Sequence, residues 1–328
     1  MYHYRYFEVV VLLSLLDVVS FFLSLVFGAV YIPPSLFSSH PYSFIVYSIR
    51  FPTAISTASI GADLSLTGLI LQMILRNPVM DPYVTGTASG AGFGAVLTYA
   101  LLAFNFPLFL VQGISPFLAF IFSMVATAMT LVIGRKGDTY SLVIGGVVVS
   151  YFFSALIILS ESVISRITPE VPPLLFFLFG EIDDVSWTET AILFNVTLAL
   201  GYLCYIIGRK IDVLSLSDEI SFSKSINPGR YRLLIIVLVS AVVSVDVSVG
   251  GIIGFLGIIS PHIMRGVLGG RSTVSMVVPV SLLGSSVLLL SNVISRGALG
   301  FTLPLTAVTS LIAVPVITSI LRRHPNVD

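Results

Sequence analysis

Long apolar stretches, rather than short alternations, set the pattern of this chain. Segments 139–160, 190–208, 272–295 and 297–321 contain no Asp, Glu, Lys or Arg. The interval 82–134 is equally free of them, and turn signals at Asn105–Pro107 and Gly113–Pro116 divide it in two. Between Arg232 and Arg265 the only charged residue is Asp246, and Gly250–Gly251 breaks that interval into another pair. A helix needs about 20 mostly apolar residues to cross roughly 30 Å of hydrocarbon. The pattern predicts ten spanning helices, at 9–31, 51–75, 86–105, 115–134, 140–161, 189–208, 231–249, 252–268, 274–294 and 303–321. An even number puts both termini on one side. With alternating loops, thirteen of the sixteen Lys and Arg fall on that side, and only Arg50, Arg166 and Arg296 on the other. This asymmetry predicts cytoplasmic termini. The first span reads as retained rather than as a cleaved leader. Its basic start is only Arg5, Asp17 lies inside it, and no small-x-small site precedes Pro33–Pro34.

Composition narrows the class. Of 328 residues, 56 % are hydrophobic and 10 % charged, against about 25 % charged in soluble chains. That excludes an ordinary cytosolic enzyme, a disordered protein and a nucleic-acid binder with a basic face. Sixteen acidic residues balance sixteen basic ones, so no polyanionic partner is indicated. The single cysteine, Cys204, excludes an internal disulfide and a cysteine-based metal cluster. No GxxxxGK[ST], HExxH, GxSxG or CxxC occurs, and the four histidines are scattered.

Three departures from plain spans carry information. Segment 162–188 is too polar to cross, and its Pro169, Pro172 and Pro173 followed by Leu174–Phe179 predict a short helix at the outer face. Glu161, Glu170, Glu181, Asp183, Asp184 and Glu189 make this outer segment acidic. The loop 209–230 predicts a short helix over Asp218–Lys224, with Ser217 as N-cap and Asp218 and Glu219 in its first turn. It reads either as a connector or as a docking element for a soluble partner. Small residues from Gly86 to Ala95 favour close helix packing. Gly68 and Gly257 each stand eight residues before an arginine, Arg76 and Arg265, a weak internal echo.

Asp17, Asp63 and Asp246 are the carboxylates within spans. Asp63 sits mid-span and reads as a pore- or partner-facing group or, equally, as a protonated packing residue; Asp17 and Asp246 read as near span ends. Two function classes survive: a permease subunit driven by a separate energy-coupling protein docking on 209–230, and a self-sufficient ion-coupled secondary carrier. An intramembrane enzyme lacks a nucleophile–base pair.

Several strings then resemble one family. RNPVMDP (Arg76–Pro82, with Pro78 and Asp81), followed by GTASGAGFG (Gly86–Gly94, with Gly90 and Gly92), resembles the signature of FecCD-type permeases of ABC importers. IRFPT (Ile49–Thr53), GADLSLTGLILQ (Gly61–Gln72) and FFLFGEIDDVSW (Phe176–Trp187) are similar to its further elements. GGIIGFLGIISPHIMR (Gly250–Arg265, with Pro261 and His262) and LPLTAVTSLIAVPVITSILRR (Leu303–Arg323) complete the series in order. The family imports iron–siderophores, haem and cobalamin.

The resemblance implies an all-α polytopic fold like that of a cobalamin-importer permease. It has ten spans, a short outer-face helix and short cytoplasmic coupling helices. Residues 1–328 form one transmembrane permease domain in the plasma membrane. It implies a homodimer with the path at its axis, two cytoplasmic ATPase subunits that hold ATP and Mg, and an extracytoplasmic substrate-binding protein. No cofactor, metal or nucleic acid is expected on this chain, and it is not expected to be an enzyme. Leu214–Ile226 resembles the coupling element, with Leu216, Ser217, Asp218 and Glu219 on the ATPase side and Ser225 where the family has glycine. Arg50 and Arg296 match the arginines that dock the binding protein; Thr53 stands where a further arginine would be. Asn77, Val79, Thr139, Tyr140 and Ser141 resemble the cytoplasmic gate. The expected cargo is an iron(III)–siderophore, with cobalamin, haem or molybdate as alternatives.

Overall fold

The computed structural model describes residues 2–82, 85–101, 106–134, 139–167, 180–270, 272–298 and 300–323. Among them every regular element is helical. Ten long helices occupy the ten predicted positions. They are α1 Tyr2–Val26, α2 Phe51–Ile74, α3 Thr87–Ala100, α4 Leu108–Ile133, α5 Thr139–Ile167 and α6 Trp187–Leu216. After the short α7 Asp218–Ser223 come α8 Pro228–Gly250, α9 Leu256–Leu268, α10 Thr273–Val293 and α11 Leu305–Arg323. Among the described residues, seven apolar helical segments are long enough to cross a membrane. Helix α9, with 13 residues, rises only about 20 Å, and the irregular run 251–255 before it completes the distance. That run stays inside the protein, where the Thr306 hydroxyl donates to the Ile252 carbonyl at 2.6 Å, as non-helical backbone at membrane depth requires. Most of the outer segment expected as a helix, at 168–179, lies outside the described residues.

The bundle is built around α2, which is buried along nearly its whole length although it is the least apolar of the seven. In lipid the outside of a bundle needs no polar cover, so small polar residues collect where helices meet. Helix α2 packs against α10, α6, α9 and α8. A methyl group on Gly61 would stand 2.5 Å from the Gly284 carbonyl oxygen, and one on Gly68 would stand 2.1 Å from that of Gly257. Hydroxyl pairs stitch the same faces: Ser65–Ser260 at 2.9 Å and Ser56–Thr190 at 3.0 Å. The pair Gly68 and Gly257, seen in the sequence only as an echo, is thus one helix crossing.

Helix α3 lies against α4 and α5. Gly90 faces the Phe122 carbonyl, and Gly92 faces Ile252. Their place in the glycine-rich signature is therefore packing.

Candidate functional site

The basic end of the bundle is organised by one carboxylate. Ser217 caps α7 by accepting from the Ile220 amide at 3.1 Å, which fixes Asp218 at the first helical position. Asp218 accepts from Arg76 at 2.5 Å and from both terminal nitrogens of Arg232, at 2.7 and 3.2 Å. The same guanidinia hold backbone ends. Arg76 donates to the Leu214 carbonyl at 2.9 and 3.1 Å, and Arg232 to that of Ile74 at 3.0 Å. Asp218 therefore ties α7 to the end of α2 and the start of α8. Hydrogen bonding from Arg232 leads the causes that hold its carboxyl below the usual carboxylate range. Arg232 drew no notice in the sequence because it stands among other loop charges; only its distance from Asp218 reveals it.

Two residues here adopt left-handed backbone: Arg76 with φ 51° and Ser225 with φ 58°. Both close a helix. The Ser225 amide donates to Phe222 and the Ile226 amide to Ser221, at 2.9 Å each, the double bond of a Schellman ending in which glycine is usual. Glu219 is exposed, as are Leu216, Ile220 and Phe222. Three apolar side chains are thus bare at the junction of α6 and α7.

Beside this hub lies the expected gate. The Asn77 side chain accepts from the Val79 amide at 3.1 Å, and Pro78 and Val79 are exposed. Thr139 begins α5, Tyr140 is exposed and Ser141 half-buried. Met80 and Leu142 line one small cavity of about 20 Å³ with Thr85, Thr127 and Thr130, so the two gate segments are neighbours. Asp81 is buried, and the carbonyl of Pro82 accepts from the Ala88 amide at 3.2 Å. Arg265 donates to the Gln72 side-chain oxygen Oε1, and the Gln72 side-chain nitrogen Nε2 donates to the carbonyls of Gly257 at 2.7 Å and Met80 at 3.3 Å. Gln72, given no role in the sequence reading, joins α2, α9 and the gate loop; its signal was a polar amide in an apolar span. Pro261 is buried within α9, and His262 is half-buried.

At the opposite end the two outer arginines are turned inward. Arg50 is 3 % exposed and donates to the carbonyls of Leu25, Val26 and Val30 at 2.7, 2.9 and 2.5 Å. It satisfies the carbonyls that the end of α1 leaves open. Arg296 is ion-paired with Asp183. Both guanidinia thus have partners within the chain, while Nη1 of Arg296 has none. The acidic segment 180–184 is tied to the ends of α8 and α11: the Glu181 amide donates to Gly250 at 3.2 Å, and the Leu305 amide to Gly180 at 3.0 Å. Burial pushes the carboxyls of Asp183 and Glu181 up, Arg296 pulling Asp183 back and Asp183 adding to the rise at Glu181. Ser186 and Glu189 then form a reciprocal capping box that starts α6.

In mid-bundle, Asp63 is fully buried and accepts from the Thr197 hydroxyl at 2.8 Å. Asp246, expected near a span end, is buried within Coulombic reach of Asp63. The segment 180–183 meets the end of α8, where the Glu181 amide donates to the Gly250 carbonyl at 3.2 Å. Asp17 accepts from Ser286 at 3.2 Å. Among the described residues no group of His, Cys, Asp and Glu is placed to hold a metal ion.

The arrangement is a short exposed helix wired to the central helix, with the loop 77–82 beside it. Comparison with known proteins agrees in kind. The FecCD transport family matches residues 15–323. The chain is 33 % identical over 275 residues to a protein of Helicobacter pylori strain J99 assigned as an iron chelatin transport system permease, covering 83 % of this chain and 81 % of that one. It is 27 % identical over 275 residues to a molybdate import system permease protein of Haemophilus influenzae, covering 83 % and 79 %. Among solved structures, an ABC transporter assigned to the metal-chelate type, in an inward-facing conformation, superposes with a TM-score of 0.82 at 25 % identity, over 96 % of this chain and 99 % of that one.

Proposed function

The chain belongs to the FecCD transport family, and on that premise we propose that it is the membrane permease of a binding-protein-dependent importer for an iron(III)–siderophore, powered by ATP hydrolysed on separate subunits. The termini and α7 face the cytoplasm. Two copies enclose the path, and a cytoplasmic ATPase docks on each α7 through Leu216, Ile220 and Phe222, with Glu219 at the rim. The observation that carries this reading is the Asp218 clamp, because a docking helix transmits force only if it is tied to the helices it must move. Ser225 belongs to the same element as its left-handed stop.

The gate follows from the same arrangement. Asn77 and Val79 directly follow Arg76, so a displacement of α7 reaches the loop through one side chain. Thr139, Tyr140 and Ser141 stand across the small cavity from it. A passage for a bulky chelate needs weakly interacting walls and a closable constriction, and these residues supply no deep well. The iron–chelate reading of the cargo is supported by the Helicobacter relative, while the Haemophilus relative keeps an oxyanion as the competing cargo.

The test is reconstitution. Proteoliposomes holding this chain with an ATPase and a binding protein should take up a ferric hydroxamate only with ATP inside, and Glu219→Lys should lower uptake per ATP hydrolysed. Uptake by the chain alone, driven by an ion gradient without nucleotide, would refute the importer reading in favour of a secondary carrier.

A further inference from the structure

Two carboxyl groups inside the bundle play no part in the function above, and neither is satisfied. Asp63 is fully buried; its Oδ2 accepts from Thr197, and its Oδ1 has no hydrogen-bond partner. Asp246 is 1 % exposed, and both its oxygens lack partners. Packing sets the two face to face. Arg232 at the start of α8 donates to the Ile74 carbonyl at the end of α2, and a methyl group on Gly250, at the end of α8, would stand 2.9 Å from Ile60 Cδ1. The two helices therefore run antiparallel. One turn inward from the Gly250–Ile60 contact stand Asp246 on α8 and Asp63 on α2, on the sides that face each other.

The surroundings supply no counter-charge. Among the described residues, the side chains of α3, α4 and α10 include no titratable group. Helix α6 brings Cys204 near Asp63 and keeps its charges at its two ends. The basic residues of α8 are at its start, beside α7. His262 and Arg265 of α9 lie on the cytoplasmic side of the Gly68–Gly257 crossing, and Arg265 is bonded to Gln72. Asp17 of α1 is held by Ser286 of α10. A charge inside a membrane bundle persists only with a partner or an aqueous cavity. An open cavity of about 560 Å³ at the acidic end is lined by Val245, Ser248 and Val249 of α8, beside Glu181 and Asp184. Val245 adjoins Asp246, and a cleft lined by carboxylates concentrates cations.

We propose that Asp63, Asp246 and the Thr197 hydroxyl form a site for one monovalent cation, a sodium ion or a proton, that enters from this cavity. Bound there, it leaves a single negative charge spread over two facing carboxyls and clasps α2 to α8. No third His, Cys, Asp or Glu joins the pair among the described residues, which suits a singly charged ion better than calcium with its six to eight oxygens. The inference stands on the fold and is independent of what powers uptake.

The test uses the full chain in lipid nanodiscs, read by scanning calorimetry. In one series sodium chloride replaces choline chloride at constant pH and ionic strength; in the other, pH is varied in choline chloride alone. The wild-type midpoint should rise by about 2 °C or more per tenfold increase in the cation that binds. The isosteric double variant Asp63→Asn, Asp246→Asn should lose that response. A sodium response at constant pH assigns the site to sodium; a response to acid alone assigns it to a proton. Identical responses of wild type and double variant in both series would overturn the inference. If the double variant does not fold, two further measurements decide. One radioactive sodium ion bound per wild-type chain, or in sodium-free buffer a protonated-carboxyl infrared band that either single Asn variant removes, supports the site; absence of both refutes it.

Discussion

The crossing of α2 and α9 makes a prediction that contacts alone would not. Gly68 and Gly257 face each other, so equal sensitivity to alanine is the simple expectation; the geometry denies it. A methyl on Gly68 would lie 2.1 Å from the Gly257 oxygen and 2.3 Å from its Cα, against about 3.5 Å for an unstrained heavy-atom contact. Both obstacles are backbone, so the helices must part by about 1 Å or more. Parting breaks the Ser65–Ser260 bond and the Gln72 bond to Gly257. Overpacking costs about 1–3 kcal/mol and each lost bond about 1 kcal/mol, about 3–5 kcal/mol together. A methyl on Gly257 would instead meet nothing nearer than the Leu64 oxygen at 3.1 Å, then Asp81 Cβ at 3.2 Å. Small shifts relieve that, and alanine adds up to about 1 kcal/mol of helix preference, so the net change is about 1 kcal/mol or less. Cys204, the sole cysteine and buried, reports unfolding as the midpoint of thiol-reactive dye labelling on heating. Gly68→Ala should lower that midpoint by about 10 °C and Gly257→Ala by about 3 °C or less. Equal shifts, or the reverse order, would refute the packing argument.

Three further outcomes follow from the basic end. Ser225→Gly removes a Cβ from left-handed backbone and should stabilise the end of α7 by about 1 kcal/mol, read as roughly fivefold slower amide exchange at Ile226; faster exchange would contradict it. Phe222→Ala should weaken ATPase association about 30-fold, the loss of about 2 kcal/mol of apolar burial, measured by titrating the ATPase onto nanodisc-held permease; an unchanged affinity removes Phe222 from the interface. Asp218, held below the usual carboxylate range chiefly by Arg232, contributes stability above its unfolded pKa and loses it as pH falls through the lower folded value. The unfolding midpoint of the wild type should therefore decline more steeply below about pH 4 than that of Asp218→Asn; parallel curves would mean that the clamp contributes nothing.

Sequence pattern located the ten helices because lipid demands length and apolarity, and both are local properties. It placed the cap at Ser217 for the same reason: capping acts within one turn. What it missed is long-range. Arg76 meets Asp218 across 142 positions, and among the loop arginines nothing local singles out that pair. Arg50 and Arg296 were assigned outward because a charge in a short outer loop is ordinarily solvated. The open carbonyls at the end of α1 and the carboxylate of Asp183 are sinks that only the fold brings near. Asp246 does stand one turn from the end of α8, as read; its complete burial there is what no local pattern shows.

These long-range ties divide the molecule mechanically. Asp218 links α7 to α2 and α8 by charge-assisted bonds, and Asp212 links the end of α6 to the start of α10 through the Thr273 amide at 2.7 Å. Helix α2 is in turn locked to α9 and α10 at glycine crossings where backbone meets backbone. A push on α7 is poorly absorbed by side-chain rearrangement at such contacts, because only small side chains such as Ser65 and Ser260 lie between the helices. It must move α2 with its neighbours as one body. The loop 77–82 differs: it borders a small cavity lined by side chains, and it is held by hydrogen bonds, Asn77 to Gln72, Met80 to Asn77 and Val79 to the Asn77 side chain, rather than by a backbone crossing. Close-packed interfaces transmit displacement and loosely packed ones yield to it, so under the proposed function a movement delivered at α7 is spent at the loop 77–82.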